Sequence, residues 1–267
     1  SPWSSTSSVN IKLAQFKKHL SHFEKVIIGH RGAAALAPEN TLGSFKIACE
    51  LGCPLIELDV HRVRDDSNTN ELIVIHDDTL DRTTNHKGKV SQISLADLPQ
   101  ILTKDGASVP LLSEVISLIE NEMKTLNTVI GLNIELKGDN TGLLTANYIK
   151  AIDAIPTIVS SFKLKELRAF RAADKDTPIA PLFHRWEDSC TEIGEELNAV
   201  AINCSAKIVN ENRVKLIKER GFKVFVYTVN SPNKAEELFN MGVDGIFTDH
   251  PDKMKNWLSY SNTDSLK

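Results

Sequence analysis

The sequence predicts an α/β domain whose eight parallel strands, linked by helices, close into a barrel of the TIM type. Three observations predict it. Short runs rich in Val and Ile alternate with longer segments of helical spacing, and eight such runs occur. The 267-residue length suits the roughly 250 residues that one such barrel occupies. Regular strand–helix repetition implies parallel strands joined by right-handed crossovers, and eight units favour closure over an open sheet.

Residues 1–10 are Ser-rich, without a starting Met or an apolar signal core, and are expected to lie outside the fold. An amphipathic stretch at 11–23 leads in. The first strand is expected at 26–28, ending in Gly29-His30-Arg31-Gly32. Asn40 or Thr41 can then cap a helix that runs to Leu51 and stops at Gly52. Further strands are expected at 55–60, 132–136, 157–160, 179–183, 200–204, 224–229 and 245–248. Helices at 164–173, 210–220 and 232–241 carry apolar residues at i, i+3, i+4 spacing, and the last two stop at Gly221 and Gly242.

The repetition breaks once. Residues 61–130 are too many for one connection. They hold an apolar run at 71–75, a turn-rich middle at 85–88 and a helix from Leu112 to about Met123, and read as a small inserted subdomain. The expected organisation is therefore an extension and leading helix at 1–25, a barrel at 26–252 carrying the insertion, and a tail at 253–267.

Composition narrows the function. With 25% charged residues and a net charge of -4, the chain offers no basic surface to hold a nucleic-acid backbone. No apolar run reaches the roughly 20 residues of a membrane span. Cys49, Cys53, Cys190 and Cys204 form no CxxC pair, so zinc and redox motifs are not expected. The first two read as small buried hydrophobes, and a reducing, cytoplasmic setting is the expectation.

In such a barrel the reactive groups sit at the C-terminal ends of strands. The first predicted strand ends in His30 and Arg31, the second in Glu57 and Asp59, the third in Glu135 and Lys137. Period-two alternation points Glu57 and Asp59 the same way, and likewise Glu135 and Lys137, while Ile56, Leu58, Val60, Ile134 and Leu136 face the helices. One such carboxylate is ordinarily a surface group. Three in one barrel mouth repel each other and are costly to desolvate unless a cation joins them. Oxygen ligands favour a hard divalent ion, Mg²⁺ or Ca²⁺.

His30, between Gly29 and Gly32, and His76, before Asp77 and Asp78, are suited to moving protons near neutral pH. A lone histidine after a strand is more often structural. That plain reading stands for His19, His22, His61, His86, His184 and His250. Arg31 and Lys137 supply positive charge for a phosphoryl group. Phe162, Phe183, Trp186 and Tyr227 lie at or beyond later strand ends and could line a substrate pocket; core packing is the default for each, and Tyr227 is the best pocket candidate.

These residues resemble the glycerophosphodiester phosphodiesterases. His30-Arg31-Gly32 with Pro38-Glu39-Asn40-Thr41 looks like that family's opening signature. Glu57-x-Asp59-Val60, His76-Asp77 and Arg82-Thr83-Thr84 follow in order. Val109-Pro110-Leu111-Leu112 with Glu114-Val115, Asn133-Ile134-Glu135-Leu136-Lys137, Tyr227-Thr228-Val229-Asn230 and Asp244-Gly245-Ile246-Phe247-Thr248-Asp249 complete the series. The match covers about residues 26–252.

The resemblance implies a TIM barrel with an insertion and hydrolysis of glycerophosphodiesters to sn-glycerol 3-phosphate and an alcohol. It also implies a two-histidine mechanism and a metal at Glu57, Asp59 and Glu135. Only through it does His76 reach the site, because the insertion must fold over the mouth. Two departures occur: Tyr227 stands where the family often has tryptophan, and the polar segment 61–70 is slightly longer than the family's turn. The nearest rival is a lysophospholipase D acting on lipid-bearing substrates. A rival of another class is a ligand-sensing module without activity. The expected partner is a small-molecule glycerophosphodiester.

Overall fold

The computed structural model describes residues 11–64 and 71–264. The expectation for residues 1–10 and part of the long turn at 61–70 lie outside these residues. The chain begins with α1 (Ile11–Leu20), β1 (Val26–Gly29), α2 (Leu42–Glu50), β2 (Leu55–Arg62), β3 (Leu72–Val74) and α3 (Leu112–Leu126). It continues through β4 (Gly131–Leu136), α4 (Thr141–Ile149), β5 (Thr157–Ser161), α5 (Leu164–Ala173), β6 (Ile179–Phe183) and α6 (Cys190–Glu196). The last elements are β7 (Ala201–Ser205), α7 (Glu211–Glu219), β8 (Lys223–Tyr227), α8 (Pro232–Asn240), β9 (Gly245–Thr248) and α9 (Pro251–Asp264).

Strands β1, β2 and β4 to β9 pair in parallel, and β1 pairs with both β9 and β2, so the sheet closes into an eight-stranded TIM barrel. Strand β3 adds antiparallel to β2, with Val60 opposite Val74. Local chemistry sets the boundaries. Thr41 caps α2 by accepting from the Ser44 amide, and Asn210 and Ser231 cap α7 and α8 in the same way.

Two hydrophobic layers follow from strand alternation. Ile56, Leu58, Val60, Ile134 and Leu136 pack outward against the helices, as period two requires. The inner layer is smaller, and α1 completes it. Leu13, Phe16 and Leu20 join Val26, Leu55, Ala201 and Phe225 at the N-terminal end of the barrel. Asp176 accepts the Lys12 amide at 2.8 Å, and His19 Nε2 donates to the Pro54 carbonyl at 2.7 Å. The leading helix is thus a plug.

Between β2 and β4, Val63, Ile73, Ile75, Leu80, Val90, Leu98, Ile101 and Val109 form a separate cluster beside the barrel mouth. Helix α3 packs into the barrel's outer layer through Leu112, Val115 and Ile119. The segment 253–267, expected as a tail, carries α9 as far as Asp264; Met254 is buried in the same layer. Among the described residues no helix is long and apolar enough to cross a membrane, and Cys49, Cys53, Cys190 and Cys204 are buried free thiols.

Candidate active site

The C-terminal mouth holds a cavity of about 230 Å³. One half is charged, lined by His30, Arg31, Glu57, Asp59, His76 and Glu135. The other half is Phe162, Leu182, His184, Tyr227, Thr228 and Phe247.

The acidic half is built by strand register. Asp59 stands opposite Glu135 across the β2–β4 pair, and Glu57 lies two residues earlier on the same face. All three are buried, and each offers an oxygen within 4.8 Å of the others. Burial raises Glu57 well above the usual carboxylate range, with Asp59 and Glu135 adding to it. Burial beside Asp59 pushes Glu135 up to about 8, against the opposing pull of Lys137. Asp59 also feels burial, yet Arg31, His76 and the Asn40 amide outweigh it and hold its carboxyl below the usual value. Asn40 Nδ2 donates to Asp59 Oδ2 at 3.0 Å, whereas the buried Oδ1 has no hydrogen-bond partner. Three crowded carboxylates with an unpartnered buried oxygen fit a hard divalent cation.

Arg31 sits at φ 51, in the left-handed region, directly before Gly32 at φ 87. A Cβ on Gly32 would lie 2.5 Å from Ser44 Oγ, so the close approach of this loop to α2 requires glycine. The turn aims the Arg31 amide at Glu57 Oε1, to which it donates at 2.9 Å. The guanidinium donates through Nη1 to Glu39 at 2.9 Å, while its buried Nε, 3.6 Å from Asp59, makes no hydrogen bond. Lys137 Nζ lies 3.4 Å from Glu135 and 5.4 Å from the centre of the Phe162 ring, beside the cavity.

His30 and His76 are each held by a carboxylate. His30 Nδ1 donates to Asp249 Oδ1 at 2.7 Å, and Asp249 accepts in turn from Asn230 Nδ2 at 2.9 Å. His76 Nδ1 donates to Asp77 Oδ1 at 2.8 Å. A proton fixed on Nδ1 leaves Nε2 as the free basic nitrogen of a neutral ring. Burial lowers the His76 pKa despite Asp59 nearby, which favours that neutral ring. His61 donates from Nε2 to the His76 carbonyl at 3.0 Å, anchoring the backbone that carries the ring.

The aromatic half centres on Tyr227, whose ring meets Phe162 edge-on at 5.7 Å and stacks near His184 at 6.5 Å. Its buried hydroxyl has no partner, and burial raises its pKa.

The structure therefore brings His30, His76, Glu57, Asp59, Glu135, Arg31, Phe162 and Tyr227 to one cavity, with Lys137 alongside. Phe183 and Trp186 do not join them. Phe183 has the opposite parity to Leu182 on β6 and packs in the outer layer, where Trp186 packs too, under Arg213 at 4.6 Å. His184, read as structural, lines the cavity; alternation from Leu182 through Phe183 was the signal that could have found it. Asp249, Asp77 and Glu39 lay inside matched motifs without assigned roles.

Comparison with known proteins agrees with this architecture. The model of the glycerophosphoryl diester phosphodiesterase family matches residues 30–253. The Bacillus subtilis protein YhdW is 33% identical, over 85% of this chain and 95% of its own. The glycerophosphodiester phosphodiesterase of Caldanaerobacter subterraneus subsp. tengcongensis is 31% identical, over 86% of this chain and 96% of its own. Among solved structures, an Oleispira antarctica phosphodiesterase in complex with the product sn-glycerol-3-phosphate superposes with a TM-score of 0.81 at 27% identity, covering 90% of this chain and 99% of that one. On fold, motif order and identity together, this chain belongs to the glycerophosphoryl diester phosphodiesterase family.

Proposed function

We propose that the cavity hydrolyses glycerophosphodiesters to sn-glycerol 3-phosphate and an alcohol, with Glu57, Asp59 and Glu135 holding Mg²⁺ or Ca²⁺ and His30 and His76 moving protons. One observation carries this reading: three buried carboxylates and two carboxylate-tethered histidines share one cavity. When bound, the ion would offset the negative charge of the phosphodiester and of the oxygens on which charge grows.

The chain's own groups supply the rest. Arg31 Nε, buried without a hydrogen-bond partner beside Asp59, is a donor available to a phosphoryl oxygen, and Lys137 adds charge at the side of the cavity. One histidine Nε2 takes a proton from the attacking hydroxyl, of water or of the substrate's glycerol. The other, entering the step protonated on both nitrogens, gives its Nε2 proton to the departing alkoxide as the P–O bond breaks; where the glycerol hydroxyl attacks, the cyclic phosphate so formed is then opened by water. Phe162 and Tyr227 form the wall against which the glycerol carbon chain packs. The product held by the Oleispira relative supports the substrate class.

The test is turnover of glycerophosphocholine, glycerophosphoethanolamine, glycerophosphoinositol and lysophosphatidylcholine with EDTA, Mg²⁺ or Ca²⁺. Release of sn-glycerol 3-phosphate that needs the ion supports the reading; activity untouched by thorough chelation contradicts it. A second reading, lysophospholipase D, is favoured by one feature. Phe162, which lines the cavity, is 39% exposed and gives the mouth an apolar edge. Faster turnover of lysophosphatidylcholine than of glycerophosphocholine would select it.

A further inference from the structure

Arg82 lies outside the cavity lining, half exposed, with its guanidinium shared between two carboxylates. Nε and Nη2 donate to Asp77 Oδ2 and Oδ1, both at 2.9 Å. Nη1 and Nη2 donate to Glu39 Oε1 and Oε2 at 2.6 and 3.1 Å. Asp77 is the carboxylate that receives His76 Nδ1, and Glu39 is the one that receives Arg31 Nη1. One planar ion thus closes an unbroken path from His76, after β3, to Arg31, after β1.

Other contacts leave that task unfilled. His61 and the Ile75 amide, which donates to the Asp59 carbonyl, anchor the backbone around His76 but not the rotation of its ring. The ring's orientation depends on Asp77, and that of Asp77 on Arg82. Exposed ion pairs as a rule add little stability, whereas a fork on each of two carboxylates fixes direction. Arg82 uses both edges of its fork for this.

We propose that Arg82 is a positioning residue that holds His76 and Arg31 in mutual register across the cavity. The inference rests on the roles proposed above for those two residues. Loss of the clamp lets the His76 ring and the Arg31 guanidinium turn independently, and displacement of a reacting group by about 1 Å can cost roughly 100-fold in rate.

The experiment is steady-state turnover of glycerophosphocholine, with Mg²⁺ or Ca²⁺ supplied, by Arg82→Ala and Arg82→Lys, alongside their thermal unfolding midpoints. Arg82→Ala should lose about tenfold to 100-fold in kcat with a smaller change in KM. Millimolar guanidinium should raise its kcat severalfold without accelerating the parent. Arg82→Lys should remain slow, because an ammonium cannot fork onto both carboxylates. Parent-level kcat in Arg82→Lys overturns the inference, as does an Arg82→Ala loss that guanidinium leaves unchanged. Should Arg82→Ala fail to fold, Arg82→Lys decides alone. Full turnover in His76→Ala would sink the role of His76 itself, whereas full turnover in Arg82→Lys beside an inactive His76→Ala sinks only the clamp.

Discussion

His30 and Asp249 are separated by 219 positions in the chain and by 2.7 Å between Nδ1 and Oδ1. Barrel closure makes this contact, because the pairing of β1 with β9 brings Gly29 beside Thr248. Replacement of Asp249 by Asn keeps the shape but offers an amide where a carboxylate selected the Nδ1–H tautomer. Turnover should fall by about 100-fold to 10⁴-fold with little change in unfolding midpoint, the range expected when a proton-transferring histidine loses its orienting carboxylate. Parent-level kcat/KM in Asp249→Asn would remove the carboxylate from the account.

Tyr227 offers a second test. Its buried hydroxyl has no partner, so Tyr227→Phe should not lower the unfolding midpoint. If the hydroxyl meets a glycerol oxygen, the same change should raise KM for glycerophosphocholine about tenfold, the equivalent of one hydrogen bond. An unchanged KM would restrict Tyr227 to a packing role.

The acidic cluster links pH to stability. Burial and its neighbours lift Glu57 well above the usual range and push Glu135 up to about 8. Between about pH 4.5 and 8 the ion-free folded protein retains protons that the unfolded chain has released. These two groups therefore make stability fall as pH rises through that window. A bound divalent ion replaces those protons, so the gain in unfolding midpoint from Mg²⁺ or Ca²⁺ should be larger at pH 8 than at pH 5. Glu135→Gln should flatten the ion-free pH dependence. An ion-induced gain that is greater at pH 5 would contradict the cluster's role.

Plugging of the barrel by α1 predicts a stability effect without a kinetic one. Phe16 is fully buried among inner-layer residues at the end opposite the cavity. Phe16→Ala should cost about 3–5 kcal/mol in urea unfolding while kcat stays near the parent value. A loss below about 1 kcal/mol would mean that the helix is dispensable.

Legibility in the sequence followed the range of the interactions. Period-two alternation is local, so the common direction of Glu57, Asp59 and Glu135 was readable, and so were the eight barrel strands. Contacts made by closure were not. Nothing near His30 announces Asp249, and nothing near α1 announces that Phe16 ends in the inner layer. Residues 253–267 were expected as a tail, although Met254, Trp257 and Leu258 of α9 keep i, i+3, i+4 spacing after Pro251. Core packing, the default expected for Phe183, is what its parity on β6 produces, since it faces outward into the layer against the helices.

The central claim, that His76 transfers a proton at a site completed by the three carboxylates, is tested most directly by one assay. Release of sn-glycerol 3-phosphate from glycerophosphocholine would be measured for the parent and for His76→Ala, each supplied with Mg²⁺ or Ca²⁺ and checked for an unchanged unfolding midpoint. The account predicts a loss of about 100-fold or more in kcat with the fold intact. Parent-level turnover by His76→Ala would contradict it.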